Sequence, residues 1–148
     1  MSDLFRANLQ AYISFYESLT KETVSQAASL VTEDFHFKDP FNDTTGLAGF
    51  TKILEEMFED TDEPRFKIKD SVVEHDCGFL TWTFSFYPKN RRNHGPLISI
   101  EGASKVVFAA DGKLKVHLDY WDTAQLYQHF PVVKYFFRYI KRRLGTSS

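Results

Sequence analysis

The sequence predicts an α+β fold, and three observations carry that reading. Apolar residues recur at helical spacing through roughly the first 60 positions. From about residue 66 onward they alternate with period two instead. No linker or repeat separates the two regimes, so helices and antiparallel strands share one domain.

In chain order, Leu4, Ala7, Ala11, Phe15 and Leu19 recur every three to four residues, with Gln10, Ser14 and Glu17 between them, which predicts an opening helix. Thr20-Lys21-Glu22-Thr23 interrupts it, and a second short helix is expected over residues 24–31, closed by Thr32-Glu33-Asp34. Phe35-His36-Phe37-Lys38-Asp39-Pro40 then alternates as a short strand stopped by proline. Thr45-Gly46 opens a third helix whose stripe is Leu47, Phe50, Ile53, Leu54, Met57 and Phe58. Strands follow at residues 66–73, 78–87, 97–108 and 113–122. In the second of these, Leu80, Trp82, Phe84 and Phe86 share a face opposite Thr81, Thr83 and Ser85. Residues 88–96 form a polar connection, and Ala110-Asp111-Gly112-Lys113 is a tight turn. Pro131 suits a first helical position, and residues 131–144 read as a basic amphipathic helix.

Composition narrows the function classes. The chain has 148 residues, with 43% hydrophobic and 26% charged, the balance of an ordinary globular domain. Cys77 is the one cysteine, so neither an intrachain disulfide nor a four-cysteine zinc site can form. With no run of 18 apolar residues and no apolar stretch after Asp3 and Arg6, a cytoplasmic location is the expectation. Net charge is −2, which disfavours nucleic acid as a partner. No glycine-rich phosphate loop occurs and no ligand-spaced set is found, so neither a cofactor nor a metal is expected. The outstanding feature is 15 Phe, 7 Tyr and 2 Trp: rings at this density fill a thick core or wall a cavity for a flat apolar ligand.

Two carboxylates break the apolar pattern. Asp39 shares strand parity with Phe35 and Phe37; it either points inward with them, where lost hydration makes a carboxyl a better proton carrier near neutral pH, or starts an Asp-Pro turn in water. In the last strand Lys115, His117, Asp119 and Trp121 share one face, while Leu114, Val116, Leu118 and Tyr120 share the other. Alternation alone favours a solvated polar row, with a cavity-facing row as the other possibility.

Two segments carry a family resemblance. Phe37-Lys38-Asp39-Pro40-Phe41, followed by Gly46 and a helix, resembles the strand-end Asp-Pro element of bacterial ketosteroid isomerases. Val107 through Leu114, with Asp119-Tyr120-Trp121-Asp122, resembles their final hairpin. Residues 1–128 as a whole resemble the nuclear-transport-factor-2-like (NTF2-like) fold that includes the SnoaL-like proteins, a cone-shaped α+β roll with helices packed in a curved antiparallel sheet. The His117-x-Asp119-Tyr120-Trp121-Asp122 end is similar to uncharacterised bacterial members that continue into an extra helix, here residues 129–148. The resemblance implies a pocket for a small hydrophobic ligand, a carbonyl or polycyclic compound, and a homodimer. It casts Asp39 as general base and Tyr16 as oxyanion donor, and turns His117 and Asp119 toward the pocket as further acid–base groups. Trp121, Trp82 and Phe41 become its walls. Ser104 stands where the isomerases carry a protonated acid sharing the oxyanion. Isomerisation, cyclisation and dehydration remain open, as does a module that only binds.

The final helix poses a separate question. Val133, Phe136, Phe137, Ile140 and Leu144 form a stripe opposite Lys134, Arg138, Lys141 and Arg142. Such a helix either docks on the sheet or a second subunit, or lies on an anionic membrane surface.

Overall fold

The computed structural model describes residues 2–89 and 95–129. The expected terminal helix at 131–144 and most of the 88–96 connection lie outside them. Helix α1 (Ser2–Glu17) buries Phe5, Leu9, Tyr12, Ile13 and Phe15. Of the stripe read from the sequence only Phe15 is buried in α1: Leu4, Ala7 and Ala11 are exposed, and Leu19 lies past its end. Two stripes of helical period compete here, and the one with the larger side chains removes more apolar surface from water.

The second helix is a 3-10 turn, Val24–Ser29, shorter than expected. Residues 32–34, expected to close that helix, belong instead to strand β1 (Val31–Lys38). Phe35 and Phe37 of β1 point inward onto Phe50, with ring centroids 4.9 and 5.2 Å apart. A three-residue strand, β2 (Asp43–Thr45), pairs antiparallel with β1. Helix α2 (Leu47–Asp60) follows, burying Phe50 and Leu54 and leaving Leu47, Ile53, Met57 and Phe58 half-buried.

Strands β3 (Thr61–Glu74), β4 (Cys77–Pro88), β5 (Ile98–Phe108) and β6 (Leu114–Trp121) complete a curved, unclosed sheet ordered β2-β1-β6-β5-β4-β3. Every pairing is antiparallel except β1 with β6. β3 starts five residues before the alternation becomes readable, because Pro64 interrupts the pattern; an edge strand tolerates a proline, and the register shifts between Asp62 and Arg65. The concave face carries Leu80, Trp82 and Phe86 from β4, and Ile98, Ile100, Ser104, Val106 and Phe108 from β5, all buried. α1 lies against this face, with Phe5 stacked on Phe108 at 4.8 Å. After β6 a single turn, α3 (Ala124–Tyr127), is tied to β5 by Gln125, whose side chain bonds both the N–H and the carbonyl of Glu101. No helix among the described residues is long and apolar enough to cross a membrane.

One irregularity positions the site. Val107 faces Val116, but Phe108 faces Leu114, so Lys115 is an extra residue in β6. This bulge puts Leu114 on the concave side with His117 and turns Lys115 out to solvent. The four-residue polar row of the simple alternation is therefore broken: His117 is 3% exposed and Lys115 is not part of its face.

Candidate functional site

His117, in the middle of β6, is held at both ring nitrogens. Nε2 lies 2.5 Å from Asp119 Oδ1, and Nδ1 lies 2.7 Å from the Tyr12 hydroxyl. Ser104, directly across the β5–β6 ladder from Asp119, donates its hydroxyl to the same Oδ1 at 2.5 Å. Trp82 Nε1 in turn donates to Ser104 Oγ at 2.8 Å. The partners assign the tautomer: a carboxylate only accepts, so Nε2 carries the hydrogen, and in the neutral ring Nδ1 accepts from Tyr12. In a protonated ring Nδ1–H would donate to the Tyr12 oxygen, releasing that hydroxyl's hydrogen toward Tyr16, whose oxygen is 3.5 Å away.

This chain of polar groups closes the bottom of a two-part cavity. The inner part, about 30 Å³, is walled by Tyr12, Tyr16, Phe66, Leu80, Trp82, Ser104, His117 and Asp119. The outer part, about 340 Å³, adds Phe37, Asp39, Phe41, Phe84, Phe86, Ile100, Trp121 and Leu126. Tyr16, Phe66, Trp82 and Asp119 line both, and so mark the junction. The outer volume falls within the size range of small-molecule sites. Among the described residues, Asp119 Oδ2 has no hydrogen-bond partner, and its side chain, which lines both parts of the cavity, is 16% exposed.

The structure brings Tyr16, Trp82, Ser104, His117 and Asp119 together and sets Asp39, Phe41 and Trp121 along the outer wall. For Asp39 the turn is what forms, because β1 ends one residue before it. Its Oδ1 accepts from the N–H groups of Phe41 and Asn42, both at 2.7 Å, and Asn42 Nδ2 reaches both carboxylate oxygens at 3.1 Å. Ser104 is buried, but its only hydrogen is given to Asp119, so it has none for a shared oxyanion. Phe41 and Trp121 cross edge to face at 5.6 Å. Tyr12 went unnoticed in the sequence; the stripe Phe5, Leu9, Tyr12, Ile13 is the signal that would have shown it facing inward.

Gly102 is required where the two tryptophans meet. A Cβ there would lie 2.5 Å from Trp82 Cζ2 and 3.0 Å from Trp121 Cβ. Gly102→Ala is expected to lower stability by about 1–3 kcal/mol, read from thermal unfolding, since the Trp82 ring would have to move and Trp121 Cβ is already close.

Burial raises the Tyr12 hydroxyl far above the ordinary phenol range, helped by Tyr16 and by the charge of Asp119. Tyr16 is raised as well, by burial first and then by Asp119. Unfolded phenols ionise from about pH 10, whereas these two keep their protons when folded, so the folded chain binds more protons in alkali. Their stabilising contribution is complete below that pH and falls as pH climbs beyond it, by roughly 1.4 kcal/mol per pH unit for each phenol. Denaturant unfolding at pH 9 and pH 11 should show this decline, and Tyr16→Phe should make it shallower.

A helix laid in a curved sheet, with polar side chains gathered at the bottom of an apolar cone, defines the NTF2-like class of α+β rolls. The chain belongs to the SnoaL-like domain family, whose description matches residues 12–117. Similar solved structures include a candidate polyketide cyclase from Xanthomonas campestris (14% identity; 84% of this chain and 95% of that one; TM-score 0.68). A second is a candidate isomerase of the SnoaL-like family from Agrobacterium tumefaciens (13% identity; 81% and 98%; TM-score 0.62). A third is AclR from Streptomyces galilaeus, a candidate hydroxylase (15% identity; 89% and 98%; TM-score 0.70). At such identities the likeness is one of fold. No curated protein matches the chain.

Proposed function

We propose that the protein binds a small hydrophobic carbonyl compound in the cone and moves a proton on the carbon beside the carbonyl. The observation that carries this reading is the state of Asp119: Ser104 and His117 both bond Oδ1, leaving Oδ2 to the cavity. In the step, the α-carbon proton passes to Asp119, and the electron pair of the C–H bond moves into the enolate. Tyr16, a protonated phenol at the cavity junction, donates to the enolate oxygen. The proton then returns to carbon, and where it returns decides between exchange and isomerisation. His117 keeps Asp119 in place through Nε2–H, and Tyr12 fixes the ring that does so. Kinship with a family that includes a candidate isomerase supports the chemistry, as does the fold shared with a candidate polyketide cyclase.

A module that holds such a ligand unchanged is the second reading, and the commitment of Ser104's hydrogen favours it, since the oxyanion keeps one donor rather than two. Solvent deuterium entering the α-position of 2-tetralone, followed by NMR, separates the two. Exchange above that of acetate at equal carboxylate concentration is the expected outcome. Tetralone bound without exchange would leave only the binding module.

A further inference from the structure

Proton transfer at Asp119 leaves most of the outer cavity wall without a role, and the charges on that wall have one sign. Among the described residues lining the 340 Å³ space, the charged ones are Asp39, Glu56, Asp60 and Asp119; none is a lysine, arginine or histidine. They are spread out: Asp119 closes the inner end, Asp39 sits in the β1–β2 turn, and Glu56 and Asp60 lie on the last turns of α2. Within ion-pair distance, Glu56 meets Lys52 at 3.8 Å and Asp119 meets His117, and among the described residues no three ligating groups converge as a metal site.

Between the carboxylates the wall is aromatic, with rings supplying eight of the nineteen lining residues. A ring face carries partial negative charge and attracts a cation, and poorly polarisable walls concentrate the field of the carboxylates. Phe41 and Trp121 make a corner at 5.6 Å, and Asp39, two residues before Phe41, is fixed beside it by the turn N–H groups. An anion would be repelled by every charge that the described residues place on this wall, and a neutral compound would gain nothing from them.

We propose that the carbonyl ligand of this cavity also carries an amine in its ammonium form, the cation seated against Asp39, Phe41 and Trp121 and the carbon beside the carbonyl at the Asp119 end. The inference rests on the preceding reading of the cone as a ligand site and adds the ligand's charge.

Three probes on one carbon frame test it at pH 7: 2-aminotetralin (a cation), 2-tetralone (neutral) and tetralin-2-carboxylate (an anion). The full chain is titrated with each, following tryptophan fluorescence, since both of its tryptophans stand on the cavity wall. The ammonium compound should bind at least tenfold tighter than the ketone, and the carboxylate at least tenfold weaker. That ammonium-to-ketone ratio should fall toward one in Asp39→Asn, where asparagine keeps the turn's acceptor and loses the charge. If Asp39→Asn also loses the ketone, Glu56→Gln with Asp60→Asn, both on the exposed face of α2, decides instead and should lower the ratio at least threefold. Equal binding of amine and ketone, or tightest binding of the carboxylate, overturns the amine and leaves the carbonyl site standing. Binding of none of the three overturns both.

Discussion

Asp119→Asn should lower α-proton exchange of 2-tetralone by about 10²–10⁴-fold, the span typical of removing a general base. Asparagine preserves the shape of the site. Its carbonyl oxygen can take the place of Oδ1 and accept from Ser104 and His117, so the side-chain bond from β5 to β6 and the bond that orients the imidazole both survive. Its amide then replaces Oδ2 in the cavity, offering hydrogens where a proton acceptor stood. Ketone affinity, read from tryptophan fluorescence, should change by less than about threefold, because the aromatic wall supplies most of the contact. Asp39→Asn is the control for exchange. Its carboxylate is engaged by two backbone N–H groups and the Asn42 amide, so exchange should stay within about threefold of the parent. Exchange surviving in Asp119→Asn but lost in Asp39→Asn would move the base to the turn, where the isomerase resemblance put it.

How much of this was readable in the chain depends on the distance over which each signal acts. Strand alternation is local, and of the β4 face it names, Leu80, Trp82 and Phe86 are buried and Phe84 is half-buried. β2 is three residues long and has no pattern of its own; it exists because β1 offers it a partner. The parallel pairing of β1 with β6 joins segments about 80 residues apart, beyond the reach of any periodicity. The site shows the same division. His117, Asp119 and Trp121 could be grouped by parity, but which side they faced depended on the bulge at Lys115, a property of two strands together. Tyr12 was legible in principle, but the competing stripe through Ala7 and Ala11 has the same helical period and turns it outward. Asp39 turned on a single residue: one more step of β1 would have pointed it inward, and Pro40 with Asn42 makes the turn instead.

Tyr12→Phe and Tyr16→Phe should fail in different ways, although the two residues lie one helical turn apart. The Tyr12 hydroxyl is buried and sits 2.7 Å from His117 Nδ1. Removing it leaves a buried ring nitrogen with no partner, which costs about 1–3 kcal/mol, and leaves Asp119 alone to orient the imidazole. The Tyr16 oxygen is 3.5 Å from Tyr12, at the outer limit of a hydrogen bond, so its loss should cost less than about 1 kcal/mol. For catalysis the ranking reverses. Tyr16 lines both parts of the cavity and is the phenol placed to meet an enolate oxygen, so Tyr16→Phe should slow tetralone exchange by about 10²–10³-fold. Tyr12→Phe should slow it less: Asp119 still holds the hydrogen on Nε2, so His117 keeps its tautomer, while the Nδ1 signal in the nitrogen NMR spectrum should shift as the hydrogen bond from the phenol is lost. Equal losses of stability in the two variants, with equal rates, would mean that the hydroxyls act as one unit, and the division of labour between holding the imidazole and holding the enolate would be wrong.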